Sequence, residues 1–136
     1  MQNVPLTAAA THQRANASLL LAEDEEDLRD ALTALLDRAG HSVIGVATAQ
    51  AAIEQLTAGA AVDVLVTDMS MPGMDGVTLI NEARRLRPGL PAILVTGFAR
   101  LSIGGTLGGD YEVLHKPVPF ERLLACIDGL LAQERN

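Results

Sequence analysis

The chain has 136 residues, of which 49% are hydrophobic and only 2% aromatic, so it is long enough for one domain with an aliphatic core. Its formal net charge of −7 disfavours binding to nucleic acid or to an anionic membrane, since both need basic patches. The chain has no apolar run long enough to span a bilayer, and its single cysteine, Cys126, permits no internal disulfide, so we expect a cytoplasmic protein.

Residues 1–17 are small, polar and aperiodic, and we predict a flexible tail before a domain over residues 18–136. From Ser18 onward, short apolar stretches alternate with amphipathic ones, which predicts strands that alternate with helices. Such an order produces parallel βαβ units, so the expected fold is α/β with a doubly wound, five-stranded parallel sheet. The predicted strands cover residues 18–22, 42–47, 62–67, 92–96 and 111–114, and the predicted helices cover 26–39, 50–58, 76–86 and 120–134.

Local signals set the ends of several predicted helices. Gly40 is expected to end the first helix, and Asp75 is expected to cap the amino end of the third. Residues 104–109 contain four glycines, each of which costs about 0.8–1 kcal/mol in a helix interior, so any helix between the fourth and fifth strands should be short or irregular. The apolar face of the first helix consists of residues at spacings of three and four: Leu28, Leu32, Leu35, Leu36 and Ala39.

Polar residues stand at the carboxyl ends of four predicted strands. Glu23 and Asp24 follow the first strand, Asp68 follows the third, Thr96 closes the fourth and Lys116 comes after the fifth. Ligands of open parallel sheets bind at this edge. Clustered carboxylates repel each other, so they predict a divalent cation such as Mg²⁺, and Lys116 could reach a phosphoryl oxygen beside Asp68.

Simpler interpretations of the same residues stay open. The acidic run over residues 23–27 could be the first turn of a helix, where the helix dipole favours anions. Lys116 could be an ordinary surface lysine, and the Thr96 hydroxyl could cap a loop. Metal binding by the scattered histidines is not expected. Nucleotide-binding glycine loops, a calcium loop and a hydrolase nucleophile elbow are absent from the sequence.

Four motifs, in this order, resemble the receiver domains of bacterial two-component response regulators. They are Leu-Leu-Leu-Ala-Glu-Asp-Glu at 19–25, Val-Thr-Asp-Met-Ser-Met-Pro-Gly-Met-Asp-Gly at 66–76, Ile-Leu-Val-Thr-Gly at 93–97 and His-Lys-Pro at 115–117. The resemblance implies a flavodoxin-like sheet of order 2-1-3-4-5 with helices on both faces. The glycine-containing stretch also resembles receivers at the carboxyl ends of hybrid histidine kinases.

The resemblance further implies a role for each site residue. Asp68 would accept a phosphoryl group from a histidine kinase or a histidine phosphotransfer protein. Asp24 would bind Mg²⁺ directly and Glu23 through water, and Asp68 and the backbone carbonyl of Ser70 would complete the protein ligands.

Thr96 would sense the phosphoryl group and Lys116 would pair with it, next to a cis Lys116–Pro117 peptide. The chain would then be a signalling domain that catalyses only its own phosphorylation and dephosphorylation, as a monomer or weak dimer. Because the sequence stops at Asn136, we expect a stand-alone domain, a phosphate shuttle or a fragment of a hybrid kinase.

The chain departs from the family pattern at three places, which leave an alternative open. One of them is the glycine-containing stretch over residues 104–109 in place of a regular fourth helix. Glu23 replaces the commoner Asp, and Val113 stands where the family has an aromatic switch residue. Tyr111 lies two residues earlier, which keeps it on the same face of the sheet but farther from Thr96. The alternative is a receiver-fold interaction module that is not phosphorylated. A metal-dependent aspartyl phosphatase is disfavoured because Ser70 stands where those enzymes carry a second Asp.

Overall fold

The structure, a computed structural model, describes residues 16–97 and 111–135. The predictions for the tail before residue 16 and for the glycine-containing stretch lie outside these residues, and the proposed domain boundary stays a prediction. The described elements, in chain order, are β1 (Ser18–Ala22), α1 (Glu26–Arg38), β2 (Ser42–Val46), α2 (Ala49–Thr57), β3 (Val64–Asp68), α3 (Gly76–Leu86), β4 (Ala92–Thr96), β5 (Glu112–His115) and α4 (Phe120–Arg135).

The five strands form one parallel sheet in the order β2-β1-β3-β4-β5, which confirms the predicted doubly wound fold. All five residues of the central strand β3 are buried. A strand that is covered on both faces reads as a continuous apolar run, as the sequence does here. The order also places β1 and β3 side by side, so that the residues after their carboxyl ends become neighbours.

Helices cover both faces of the sheet, as predicted. Helices α2 and α3 pack on one face of the sheet and α1 and α4 on the other. Each pair of helices covers one aliphatic core. One predicted core residue of α1, Leu35, is instead 38% exposed, because the apolar face of this helix is narrower than its leucine spacing suggests. The fully buried helical side chains include Ala52, Leu79 and Ile80 on one face and Leu36 and Ile127 on the other.

The boundaries of β2, β3 and β5 differ from the predicted ones by one or two residues, and β2 ends at Val46 rather than at residue 47. Strand β3 begins at Val64 rather than at residue 62, because the Asp63 carboxylate accepts a hydrogen bond of 2.8 Å from the Ser18 N–H and serves as a link to β1. The same strand continues to Asp68, so the carboxylate belongs to the strand itself. Strand β5 covers Glu112–His115, which leaves Tyr111 just before it.

The helix ends follow their sequence signals, with one exception. Asp75 caps α3 by accepting a hydrogen bond of 2.8 Å from the Thr78 N–H, as predicted. Gly40 has a φ of 102°, a conformation that suits glycine after a helix. Helix α1 differs because its N-cap residue, Glu25, makes no side-chain capping hydrogen bond. The loop that holds Glu23 and Asp24 therefore needs another support.

Tyr111 and Val113 pack against the same core, which confirms that they share one face of the sheet. Val113 lies opposite Leu94 in the parallel register. The Tyr111 ring centroid lies 5.9 Å from the guanidinium carbon of Arg84, so this aromatic residue packs near α3. None of the helices over residues 16–97 and 111–135 has the length and apolar character that crossing a bilayer requires.

Candidate functional site

Three carboxylates converge at the carboxyl edge of the sheet. Glu23 and Asp24 follow β1, and Asp68 is the last residue of β3. Each offers one oxygen, and these oxygens lie within 4.8 Å of one another. Glu23 and Asp68 are buried, whereas Asp24 is exposed. Oxygen donors in this arrangement suit a hard divalent cation that keeps some of its water.

The ammonium group of Lys116 faces this cluster. The Nζ atom of Lys116 lies 2.7 Å from the Asp68 Oδ1 atom. Lys116 directly follows β5, and its backbone N–H donates a hydrogen bond of 2.8 Å to the Thr96 carbonyl. The pairing between β4 and β5 therefore continues to Lys116 and fixes its position. The Lys116–Pro117 peptide is cis, as the resemblance implied. The position of Lys116 after a strand was predicted from the sequence pattern, whereas the cis peptide was expected only from the family resemblance.

Burial and neighbouring charge perturb two titratable groups of the site. Burial raises the pKa of Glu23, the hydrogen bond from the Glu25 N–H lowers it in part, and the charge of Asp68 raises it further. Burial alone would lower the pKa of Lys116, but the hydrogen bond and charge of Asp68, together with Glu23, outweigh this and raise it. The carboxylates raise the pKa of Lys116, and Asp68 adds to the effect of burial on Glu23, so an added cation would stabilise the ionised carboxylates.

The loop after Asp68 is held close to the strand ends. The Met69 N–H donates a hydrogen bond of 2.8 Å to the Val95 carbonyl, and the Gly76 N–H donates one of 2.8 Å to the Met69 carbonyl. A Cβ at Gly76 would collide with the Asp68 carbonyl and would lie 2.6 Å from a methyl of Leu94. Glycine is therefore required where α3 approaches the end of β3, a requirement that the sequence pattern did not reveal.

Ser70 lies in this loop beside the carboxylates. It is exposed and shares a shallow cleft of about 460 Å³ with Asp24 and Met71. Thr96 is the last residue of β4 and is 1% exposed. The structure thus brings Glu23, Asp24 and Asp68 into one cluster, with Lys116 on Asp68 and Ser70 in the adjoining cleft. The assigned roles of Ser70 and Thr96 stay predictions.

Two features of the site were missed in the sequence. An apolar cleft of about 540 Å³ lies beside Asp68 and Lys116, between α1 and α4, and its walls include Leu28 and Leu123. Arg29 is the second feature, since its guanidinium donates a hydrogen bond of 2.9 Å to the Glu23 carbonyl. The signal for it was an arginine one turn into a helix that lacks a side-chain cap.

Comparison with known proteins identifies the family. A family model described as the response regulator receiver domain matches residues 19–128 of the chain. The chain belongs to this receiver domain family. The receiver domain has a solved structural relative in a response regulator receiver protein from Sinorhizobium medicae, with a TM-score of 0.79 and 33% identity over 86% of this chain and 95% of that one.

Several curated relatives contain a similar receiver domain. The chain is 37% identical over 109 residues to the C4-dicarboxylate transport transcriptional regulatory protein DctD of Rhizobium meliloti. The aligned region covers 79% of this chain and 24% of DctD. The chain is 32% identical over 128 residues to the sensor kinase CckA of Brucella abortus, covering 92% of this chain and 14% of CckA.

The response regulator receiver protein CpdR of Brucella abortus is 34% identical over 115 residues, which covers 83% of this chain and 95% of CpdR. The receiver domain therefore spans a quarter or less of the first two relatives and nearly all of the third. The region similar to this chain is therefore a small part of the longer regulator and the sensor kinase, and nearly the whole of CpdR.

Proposed function

We propose that this receiver domain accepts a phosphoryl group on Asp68 during two-component signal transduction, from a histidine kinase or a histidine phosphotransfer protein. The observation that carries the proposal is the cluster of Glu23, Asp24 and Asp68 with the Lys116 ammonium bound to Asp68. Asp68 is the proposed nucleophile because its side chain is buried and lies at the carboxyl edge of the sheet, where ligands of parallel sheets bind.

In the proposed reaction, an Asp68 carboxylate oxygen attacks the phosphorus of a phosphohistidine. The new oxygen–phosphorus bond forms as the phosphorus–nitrogen bond breaks, and the leaving imidazole takes up a proton. Two anions must approach each other, so the Lys116 ammonium lowers the barrier by offsetting the charge on the transferred group. The buried position of Asp68 strengthens this effect because few water molecules screen it.

The donor chemistry of the cluster fits Mg²⁺. Glu23, Asp24 and Asp68 would hold the ion together with the backbone carbonyl of Ser70. Burial chiefly raises the pKa of Glu23 and the charge of Asp68 raises it further, so a bound cation would stabilise its ionised form. When bound, Mg²⁺ would supply positive charge for the phosphoryl oxygens and orient the incoming donor.

The consequence of phosphorylation would begin at Thr96. An acyl phosphate adds roughly one to two negative charges at the end of β3. The Thr96 hydroxyl and the Lys116 ammonium would bind the new oxygens, and their movement would relay the change to the nearby surface. We propose that this happens in the cytoplasm, in a monomer or weak dimer that binds neither nucleic acid nor membrane through this domain.

Incubation with Mg²⁺ and acetyl phosphate tests the proposal. The expected result is one phosphoryl group per chain, labile in base, in the wild type and in Asp37→Asn, a control at an exposed carboxylate of α1. Asp68→Asn should take up none. Labelling of Asp68→Asn, or none of the wild type, would contradict phosphorylation at this residue. A wild type that is never labelled but still binds a partner would instead support the unphosphorylated interaction module.

A further inference from the structure

Helix α1 starts without the side-chain cap that α2 and α3 have. Thr48 caps α2 and Asp75 caps α3 through their side chains, whereas Glu25 makes no such bond. The loop before α1 holds Glu23 and Asp24, which are two of the three clustered carboxylates. An uncapped helix start leaves N–H groups unsatisfied and frays easily. Something else must therefore fix this loop.

Glu23 is held at three points. Its N–H donates a hydrogen bond of 3.0 Å to the Val46 carbonyl, and its carboxylate accepts one of 3.0 Å from the Glu25 N–H. Its carbonyl accepts the hydrogen bond of 2.9 Å from the Arg29 guanidinium. The last contact fixes more than Glu23, since this carbonyl and the Asp24 N–H belong to one planar peptide group. Arg29 therefore sets the direction in which the chain enters Asp24.

A glycine in β2 makes room for this arginine. Gly45 lies opposite Leu21 in the parallel register, inside a strand where glycine is otherwise unfavourable. A Cβ at Gly45 would lie 3.2 Å from the Arg29 Cγ and 3.2 Å from the Thr33 Oγ1. Its φ is not in the left-handed region, so glycine is not needed there for backbone reasons. The glycine instead allows the Arg29 side chain to lie across β2.

We propose that Arg29 is a positioning residue for the metal site: through the Glu23 carbonyl it orients Asp24 and so sets the affinity of the site for Mg²⁺. This inference rests on the proposed function only in taking Mg²⁺ as the ion. Arg29 does not touch the reacting atoms in this arrangement. Its effect on phosphorylation is therefore indirect, because it changes the fraction of domains that have Mg²⁺ bound.

The sign of the effect separates positioning from simple electrostatics. A guanidinium near a divalent cation repels it, so charge alone predicts tighter Mg²⁺ binding when Arg29 is removed. Positioning predicts the opposite. Removal of groups that orient metal ligands typically weakens metal binding by about 10–100-fold. The two explanations therefore differ in direction as well as in size.

Calorimetric titration with MgCl₂, at constant ionic strength and without a phosphoryl donor, tests the inference. We expect Arg29→Ala to raise the Kd about tenfold or more, and Arg29→Lys, which retains a donor, to recover part of the loss. Arg38→Ala is the control, since Arg38 is exposed in the last turn of the same helix. An unchanged or lower Kd for Arg29→Ala in a folded protein would overturn the inference.

Gly45→Val provides a second, independent test that leaves Arg29 in the sequence. It should weaken Mg²⁺ binding by displacing the arginine, and its effect should not add to that of Arg29→Ala. Additive effects would contradict a shared mechanism. If Arg29→Ala does not fold by circular dichroism, Arg29→Lys and Gly45→Val decide the question in its place.

The phosphorylation rate gives a further readout that distinguishes this inference from the proposed function. Saturating Mg²⁺ should restore the rate of Arg29→Ala, because only the affinity is changed. A rate that stays low at saturation would contradict a positioning role. Weaker Mg²⁺ binding in Arg29→Ala, in a domain that acetyl phosphate never labels, would support the inference while the phosphoacceptor function fails.

Discussion

The Lys116 ammonium and the Asp68 carboxylate form an ion pair of 2.7 Å between the ends of β5 and β3. The Asp68 side chain is 6% exposed and that of Lys116 is 38% exposed, so the pair joins a buried anion to a cation that reaches solvent. Strand β4 lies between them and sets their separation. Because Lys116 is the only lysine in the chain, its amine can be followed by chemistry specific for amines.

The raised pKa of Lys116 predicts slow acylation of its amine. Burial opposes this shift, but the hydrogen bond and charge of Asp68 dominate it. In metal-free buffer at mildly alkaline pH, Asp68→Asn should therefore react with acetic anhydride faster than the wild type, because less of the amine stays protonated. Peptide mass spectrometry measures acetylation at residue 116. Equal rates in the two proteins would show that the ion pair does not control this amine.

Mg²⁺ should stabilise the folded domain. The ion relieves the repulsion among Glu23, Asp24 and Asp68, and at a concentration of a hundred times its Kd it adds about 2.7 kcal/mol to the free energy of unfolding. Thermal denaturation with MgCl₂ or EDTA measures the effect. Asp24→Asn should lose most of the gain, whereas Glu26→Gln, an exposed acid in the first turn of α1, should keep it. The same gain in both variants would exclude the cluster as the binding site.

Two glycine substitutions should change stability in opposite directions. Gly76→Ala places a Cβ against the Asp68 carbonyl and a Leu94 methyl, and should cost about 1–3 kcal/mol or more. Gly129→Ala in α4 has open space around its Cβ, and should add about 0.5–1 kcal/mol through helix propensity. Urea denaturation measures both changes. A neutral Gly76→Ala would mean that α3 does not approach β3 this closely.

His41 should make stability depend on pH. Its side chain is fully buried, its ring nitrogens make no hydrogen bond within the described part of the chain, and its Nε2 lies 3.8 Å from the Asp128 carboxylate. Burial lowers its pKa below 6.5 and the charge of Asp128 offsets this only in part. The unfolded chain therefore binds the proton more readily, so stability should fall as the pH drops below 6.5.

Replacement of the histidine tests this prediction. In His41→Leu, the free energy of unfolding measured between pH 7.5 and roughly pH 5 should fall less steeply than in the wild type, because no buried imidazole takes up a proton on unfolding. His115→Gln, at an exposed histidine of β5, is the control and should keep the wild-type dependence. If His41→Leu has the same slope as the wild type, the pH dependence of the free energy of unfolding arises from groups other than His41.

The elements that the sequence predicted are those with strong local signals. Apolar runs and caps such as Asp75 depend on neighbouring residues, so the five strands and the four described helices were found with end points within about two residues. The convergence of Asp24, Asp68 and Lys116 at one edge also followed, because parallel strands present their carboxyl ends together.

The relationships that escaped prediction depend on close approach between distant segments. Gly76 looked like an ordinary helix start, and only the position of α3 against Asp68 shows why a side chain cannot stand there. Arg29 was not singled out from the sequence, although its guanidinium supports the Glu23 carbonyl and its side chain lies against Gly45. Burial of His41 is likewise set by the packing of the loop before β2 near α4. Sequence spacing does not encode such distances.

Reduction of the phosphorylated domain with borohydride, followed by peptide mass spectrometry, tests the central claim most directly. Borohydride converts an aspartyl acyl phosphate into homoserine, so the modified position can be read from the peptide. After incubation with Mg²⁺ and acetyl phosphate we predict homoserine in place of Asp68, and none when Mg²⁺ is removed with EDTA. Homoserine in place of Asp24, or at no position, would contradict Asp68 as the phosphoacceptor.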